Sequence, residues 1–276
     1  MRSFLLLALL PACLVAAPAT LEIVKPVISQ MEGGDPLPAD WAHGAGETMF
    51  FTCRISGFAK SPEERIHIKY SVQAFDPKGV PLSEIYANEM KEEVGPQDKE
   101  WMPKIETQLD LPPIVRPGTY KIVIKAEDLV AKTTAETSVP FEVKARDVAA
   151  SPTLLIRNFR WYHNEEEPNP MARPVYHAGD AMWMKFDMVG YKYGEGNKVD
   201  VSYVASLVLA SGKTIWTQPE PATEQSDSFY PKPYISGEFG ISLQKNFQPG
   251  TYTMAVAVKD AVGKQAYEGK FTFTVQ

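Results

Sequence analysis

The chain repeats itself, and that duplication limits its possible folds more than any other feature. His43-Gly44-Ala45-Gly46-Glu47 leads into an apolar run, Met49 to Ile55, that closes at Gly57. The pattern returns about 133 positions on: His177-Ala178-Gly179-Asp180 leads into Met182 to Met188 and closes at Gly190. Ile66 to Phe75 with a turn at Gly79 returns as Val199 to Leu209 with a turn at Gly212. Pro117-Gly118-Thr119-Tyr120, with a strand closing at Asp128, returns as Pro249-Gly250-Thr251-Tyr252 closing at Asp260. Each half ends alike, in Val139 to Val143 and in Phe271 to Val275. On this alignment His43 and His177 stand at equivalent places, just before the glycine that opens a strand.

The repeated blocks read as β-strands. Apolar residues fall on alternate positions in Met49, Phe51, Cys53 and Ile55, in Met182, Met184, Phe186 and Met188, and in Met254, Val256 and Val258. A period of two puts those side chains on one face, which must be covered by a second sheet. Turn residues separate the runs at Asp76-Pro77-Lys78-Gly79, Ser211-Gly212 and Asp260 to Gly263. Outside the leader no long stripe of helical period occurs; Leu82 to Val94 comes nearest, and it is short and polar. The expected class is all-β: two tandem immunoglobulin-like sandwiches, residues 20–147 and 148–276, joined within Lys144 to Pro152.

Pro-Gly-x-Tyr followed by an alternating strand resembles the tyrosine corner of immunoglobulin-like and fibronectin-III-like sandwiches. The order of Gly-Asp/Glu strand, Gly-turned hairpin, Pro-Gly-Thr-Tyr strand and terminal Phe-x-Val resembles bacterial extracytoplasmic repeat proteins of that kind. The resemblance covers nearly all of the chain after the leader. It implies that the Tyr120 and Tyr252 hydroxyls bond back to the backbone beside their turns. It says little of function, because such modules serve as spacers, adhesins, carbohydrate binders and accessory domains of enzymes. The Cys-Trp-Cys core of antibody domains is absent.

The N-terminus reads as a cleaved signal peptide, residues 1–19. Arg2 gives a short positive region, Phe4 to Leu10 an apolar run, and Ala17-Pro18-Ala19 a cleavage site before Thr20. Leu10-Pro11-Ala12-Cys13 loosely matches a lipobox, which makes a lipid anchor at Cys13 the minor alternative. No segment approaches the roughly 20 apolar residues of a transmembrane span. Cutting after Ala19 leaves Cys53 as the sole cysteine and therefore no internal disulfide. That usage favours a bacterial periplasmic, cell-surface or secreted protein over a disulfide-stapled ectodomain. The formal net charge of −6, with scattered cations, argues against nucleic-acid partners. No polybasic stretch would hold the chain to an anionic membrane.

No catalytic or metal-binding pattern stands out. The histidines, His43, His67, His163 and His177, are dispersed, whereas a metal site needs three or four converging ligands. Asn164-Glu165-Glu166-Glu167 lacks the alternating spacing of a calcium loop and reads as a solvated turn. Nucleophile elbows, zinc helices and phosphate loops are missing. Cys53 lies on the apolar phase of its strand, as a core residue. These readings predict a protein without cofactor or metal and without enzymatic activity.

What remains is a proline-punctuated segment in each half. Gln97-Asp98-Lys99-Glu100-Trp101-Met102-Pro103-Lys104 corresponds to Gln225-Ser226-Asp227-Ser228-Phe229-Tyr230-Pro231-Lys232-Pro233-Tyr234. Trp101 and Phe229 share a position and are expected to plug the sandwich edge. Tyr230 and Tyr234 have no aromatic counterparts, and Trp183, which aligns with Phe50, lies on the polar phase of its strand. Those three are the candidate ligand-binding residues, since exposed loop aromatics serve as stacking platforms and hot spots. The expected role is non-enzymatic binding or scaffolding, with another envelope or secreted protein as partner. A carbohydrate-binding module using the loop aromatics is the alternative, and an enzyme with an inter-domain site stands behind both.

Overall fold

The computed structural model describes residues 20–276; the segment expected to be a leader, with its expected cleavage site and Cys13, lies outside the described residues. Apart from a single 3-10 turn at Glu195–Asn197, all regular structure among the described residues is β. In chain order the first half contributes β1 (Glu22–Ser29), β2 (Ala42–Gly44), β3 (Thr48–Ser56), β4 (Arg65–Phe75), β5 (Tyr86–Glu93), β6 (Lys104–Asp110), β7 (Gly118–Asp128) and β8 (Thr133–Lys144). The second contributes β9 (Leu155–Tyr162), β10 (Val175–Tyr176), β11 (Ala181–Val189), β12 (Val199–Leu209), β13 (Thr214–Thr217), β14 (Ala222–Ser226), β15 (Ile235–Ser242), β16 (Gly250–Asp260) and β17 (Gln265–Val275). The segment nearest to a helical pattern, Leu82 to Val94, contains the edge strand β5, whose side chains are nearly all exposed.

Each half has two sheets. In the first, β1-β3-β6 faces β2-β8-β7-β4-β5; in the second, β15-β11-β9 faces β10-β17-β16-β12-β13, with β14 also paired to β12. All pairings are antiparallel except the short β2–β8 and β10–β17 ladders. The alternating residues are the buried ones: Met49, Phe51, Cys53 and Ile55 on β3 meet Ile66, Ile68 and Val72 on β4 and Ile122 and Ile124 on β7 in one apolar cluster. Met182, Met184, Phe186 and Met188 on β11 meet Val199 and Val201 on β12 and Met254, Val256 and Val258 on β16 in another. Each such side chain contributes about 1.5–3 kcal/mol by leaving water. These clusters are the reason the period-two runs form sheets in pairs.

The duplication extends to backbone detail. Left-handed residues recur in register at Lys25 and Asn158, Gly57 and Gly190, Glu64 and Asn197, Gly79 and Gly212, and Lys132 and Lys264. At Gly57 a Cβ would lie 1.9 Å from the Thr20 carbonyl oxygen, and at Gly190 it would lie 2.0 Å from that of Thr153. Only glycine lets the incoming chain cross there. The tyrosine corner is formed twice: the Tyr120 hydroxyl donates to the Arg116 carbonyl and that of Tyr252 to the Gln248 carbonyl, both at 2.7 Å. Two fully buried carboxylates also correspond. Asp128 accepts the Ala59 N–H (2.6 Å) and Asp260 the Lys192 N–H (2.9 Å), each tying the loop after the glycine crossing to the end of the tyrosine strand.

Strand register corrects one pairing. His43 stands opposite Val143, whereas the residue opposite Val275 is Tyr176. The counterpart of His43 is therefore Tyr176, and His177 matches Gly44. Both of the latter donate their N–H to a turn acid, Gly44 to Glu47 and His177 to Asp180.

Candidate binding surface between the two halves

The loop 227–234 runs from β14, in one sheet of the second half, to β15, in the other. Pro231 and Pro233 lack donors and keep the loop out of a ladder, and side chains bond several of its carbonyls instead. The Tyr191 and Tyr193 hydroxyls both donate to the Lys232 carbonyl at 2.5 Å. Asn197 donates its side-chain amide to the Phe229 carbonyl at 2.6 Å. The Lys232 ammonium reaches Glu224 and Ser226, both at 2.8 Å, and holds the Glu224 carboxyl below its ordinary pKa. Burial pushes the Tyr191 phenol far above its usual pKa, so it stays a donor.

This anchoring aims Tyr230 into the first half. Its ring joins the first half's apolar cluster with 6% of its surface exposed. Its hydroxyl donates to Asp76 at 3.0 Å. The other Asp76 oxygen accepts the N–H groups of Lys78 and Val80, each at 2.8 Å. Burial, reinforced by Tyr120 and Asp76 close by, drives the Tyr230 phenol well above its usual pKa.

Tyr234 is also buried, at 7% exposure, in a small cluster with Val148 and Val189 against Ile114 and Leu155. The Arg146 guanidinium lies 4.6 Å above its ring. The same Arg146 binds Asp187 at 2.6 Å, and Asn158 donates to that carboxylate at 2.9 Å. Asp187 has no exposed surface, so its oxygens are met by these partners in place of water. Arg116 donates to the Val148 carbonyl at 3.3 Å.

The expectation that Tyr230 and Tyr234 stand exposed as stacking platforms is thus corrected. Both rings are covered, because the other half and the connecting segment supply the surfaces that bury them. Trp183 is elsewhere, six residues up β11 from Val189, or about 20 Å at strand rise. It is half-buried on the outer face of its sheet, with its ring over Gly240, where a Cβ would meet it at 2.1 Å. Its indole N–H is buried without a hydrogen-bond partner. The structure therefore brings Tyr230 and Tyr234 to one junction and leaves Trp183 outside it.

Trp101 and Phe229 also diverge. Trp101 packs edge-on against Phe58 (ring centroids 6.2 Å apart) and supports the first core, as a plug should. Phe229 is 48% exposed and plugs nothing. It borders a cleft of about 490 Å³ formed with Leu82, Leu111, Pro112, Pro113 and Ile114, rimmed by Glu84, Asp110 and Lys232. A second cleft, about 380 Å³, opens on the other side of the loop among Lys78, Arg116, Ser151, Tyr191 and Tyr193. Specific interfaces favour such sites, where an exposed aromatic is held rigid over apolar surface. The loop's proline-aromatic composition marked the segment; nothing in sequence marked Leu82 or Pro112 as its neighbours.

His67 bonds Glu89 on the neighbouring strand, and Glu165 and Glu166 are exposed. His43 is 2% exposed, and burial lowers its pKa despite nearby Glu47. Burial raises the Cys53 thiol to about 12, which keeps it unreactive. Among the described residues no three His, Cys, Asp or Glu side chains converge as metal ligands, and no helix is long and apolar enough to cross a membrane.

No protein-family model matches the sequence, and no curated protein matches it. Among solved structures, the chain is similar to a family 123 glycoside hydrolase from Clostridium perfringens, at 15% identity and a TM-score of 0.31. That match covers 45% of this chain and spans 27% of the hydrolase's length. The C-terminal domain of the Streptococcus agalactiae AgI/II polypeptide BspA matches at 11% identity and a TM-score of 0.28, over 91% of this chain and 100% of that one. The C-terminal domain of the Streptococcus pyogenes antigen I/II-family protein AspA matches at 9% identity and a TM-score of 0.30, over 92% and 99%. These similarities are too loose to carry an activity or a partner across.

Proposed function

We propose that the chain is a non-enzymatic, exported binding or scaffolding protein that engages another envelope or secreted protein through the cleft beside Phe229. It consists of two immunoglobulin-like sandwiches, 20–147 and 148–276, released from a leader cut after Ala19. The observation that carries the contact is Phe229 itself. Its backbone is pinned by Asn197 and its neighbour Tyr230 is buried, yet its own ring stands half-exposed over apolar surface. A ring held in place loses little entropy on binding, and burying it removes apolar area from water. The burial of Tyr230 and Tyr234 weighs against the glycan-stacking alternative.

Affinity capture from the native host tests the contact. The tagged protein should retain a partner that Phe229→Asp releases, whereas Ile215→Asp, at another exposed apolar residue, should not. Retention by both variants would overturn the reading. Intact mass of the exported protein checks the leader: a mature chain starting at Thr20 is expected, and an acylated Cys13 terminus would refute the cut after Ala19.

A further inference from the structure

We propose that residues 227–234 act as a clasp: Tyr230 of the second half completes the core of the first, so the halves open and close as one unit. The clasp rests on its own geometry and not on the binding role above.

The contact is unlike ordinary surface packing. Tyr230 is counted among the buried residues of the first half's core although it is 154 positions from Asp76, its hydrogen-bond acceptor. Withdrawing it would leave a ring-sized gap beside Tyr120 and strip one partner from a carboxylate that is only 8% exposed. From the second half, Tyr191, Tyr193 and Asn197 hold the loop's backbone, so Tyr230 cannot move without breaking those bonds. Arg146 fastens the connecting segment to Asp187, and Arg116 of the first half holds the Val148 carbonyl. Opening the halves thus costs several buried interactions together, which is the condition for cooperative opening.

The duplication provides an internal control. The turns at 76–80 and 209–213 have matching backbone bonds: Asp76 to Val80 and Leu209 to Lys213 both at 2.9 Å, with glycines in the left-handed region at Gly79 and Gly212. The first turn carries a carboxylate, and the second carries Leu209, which packs against its own half's core. The acceptor is present at the turn where a tyrosine arrives. The Phe229 cleft takes its walls from both sides of the junction, so it exists only while the clasp is shut.

Limited trypsin digestion and calorimetry of the whole protein test this without any partner. The parent should unfold in one transition and be cut slowly after Lys144 and Arg146. Tyr230→Ala should speed that cleavage roughly tenfold and split the transition in two. Tyr230→Phe, which keeps the ring and loses the bond to Asp76, should fall between, and Phe229→Ala should match the parent. Unchanged cleavage with a single transition in Tyr230→Ala would overturn the clasp, as would two independent transitions in the parent. If Tyr230→Ala does not accumulate folded, Tyr230→Phe and Asp76→Leu decide: faster cleavage in either supports the clasp, and parental behaviour in both overturns it.

Discussion

Residues 97–104 approach β6 as residues 225–234 approach β15, yet the two segments send their aromatic side chains to different surroundings. In the first, the Trp101 N–H bonds the Asp98 carbonyl and its indole closes onto Phe58 of the same half. In the second, the place of Phe58 is taken by Tyr191, whose hydroxyl is committed to the Lys232 carbonyl. Phe229 is left outside and Tyr230 crosses to the neighbouring half. One added hydroxyl at a shared core position, with Asp76 waiting across the junction, accompanies the change from a self-contained edge to a linking one. Duplication preserved the scaffold, and divergence of a few polar atoms redirected a loop.

Substitutions at the shared glycine crossings should have the largest effect. Gly57→Ala and Gly190→Ala each place a methyl within about 2 Å of a carbonyl oxygen at a left-handed backbone position. Each should cost about 3 kcal/mol in urea unfolding, and tolerance at either would break the equivalence of the halves. The diverged loops come next: Trp101→Ala should cost about 2 kcal/mol, while Phe229→Ala should cost under about 0.5 kcal/mol. Equal losses would mean that Phe229 is packed after all.

The corner tyrosines should differ more finely. Tyr120→Phe and Tyr252→Phe should each lose about 1 kcal/mol in thermal melts, with the larger loss at Tyr120, whose hydroxyl also adjoins Tyr230. The smallest effect concerns His43, which stands where the other half has Tyr176. Burial lowers its pKa from 6.5, so the unfolded chain binds the extra proton first. Its neutral form supports folding fully above pH 6.5, and that support is lost as pH falls through the depressed value. His43→Phe should flatten the stability profile in that acidic window; an unchanged slope would assign the acid sensitivity to other groups.

Much of the architecture is legible in the residue order. Period-two apolar runs specify two-faced strands, and Gly57, Gly79, Gly190 and Gly212 mark the turns by a backbone freedom that other residues lack. Pro-Gly-Thr-Tyr identified its own hydrogen bond. The repeat alignment slipped by one residue at His43, because two histidines near a glycine look equivalent until β2 and β10 are set in register. Asp128 and Asp260 were visible as strand ends, but their bonds to Ala59 and Lys192 lie across the fold.

The burial of the loop tyrosines is hidden from the sequence for a related reason. Prolines and aromatics in a loop suggest exposure when only the loop itself is considered. Whether Tyr230, Tyr234 or Phe229 meets water depends on the surface that the other half presents, and no local pattern encodes it. The strand periodicity and the turns were therefore legible in the sequence, since each rests on residues a few positions apart, and the duplication was legible as their recurrence in the same order. The junction, the burial of its two tyrosines and the exposure of one phenylalanine were decided by tertiary structure, since each rests on surfaces that meet only after both halves have formed.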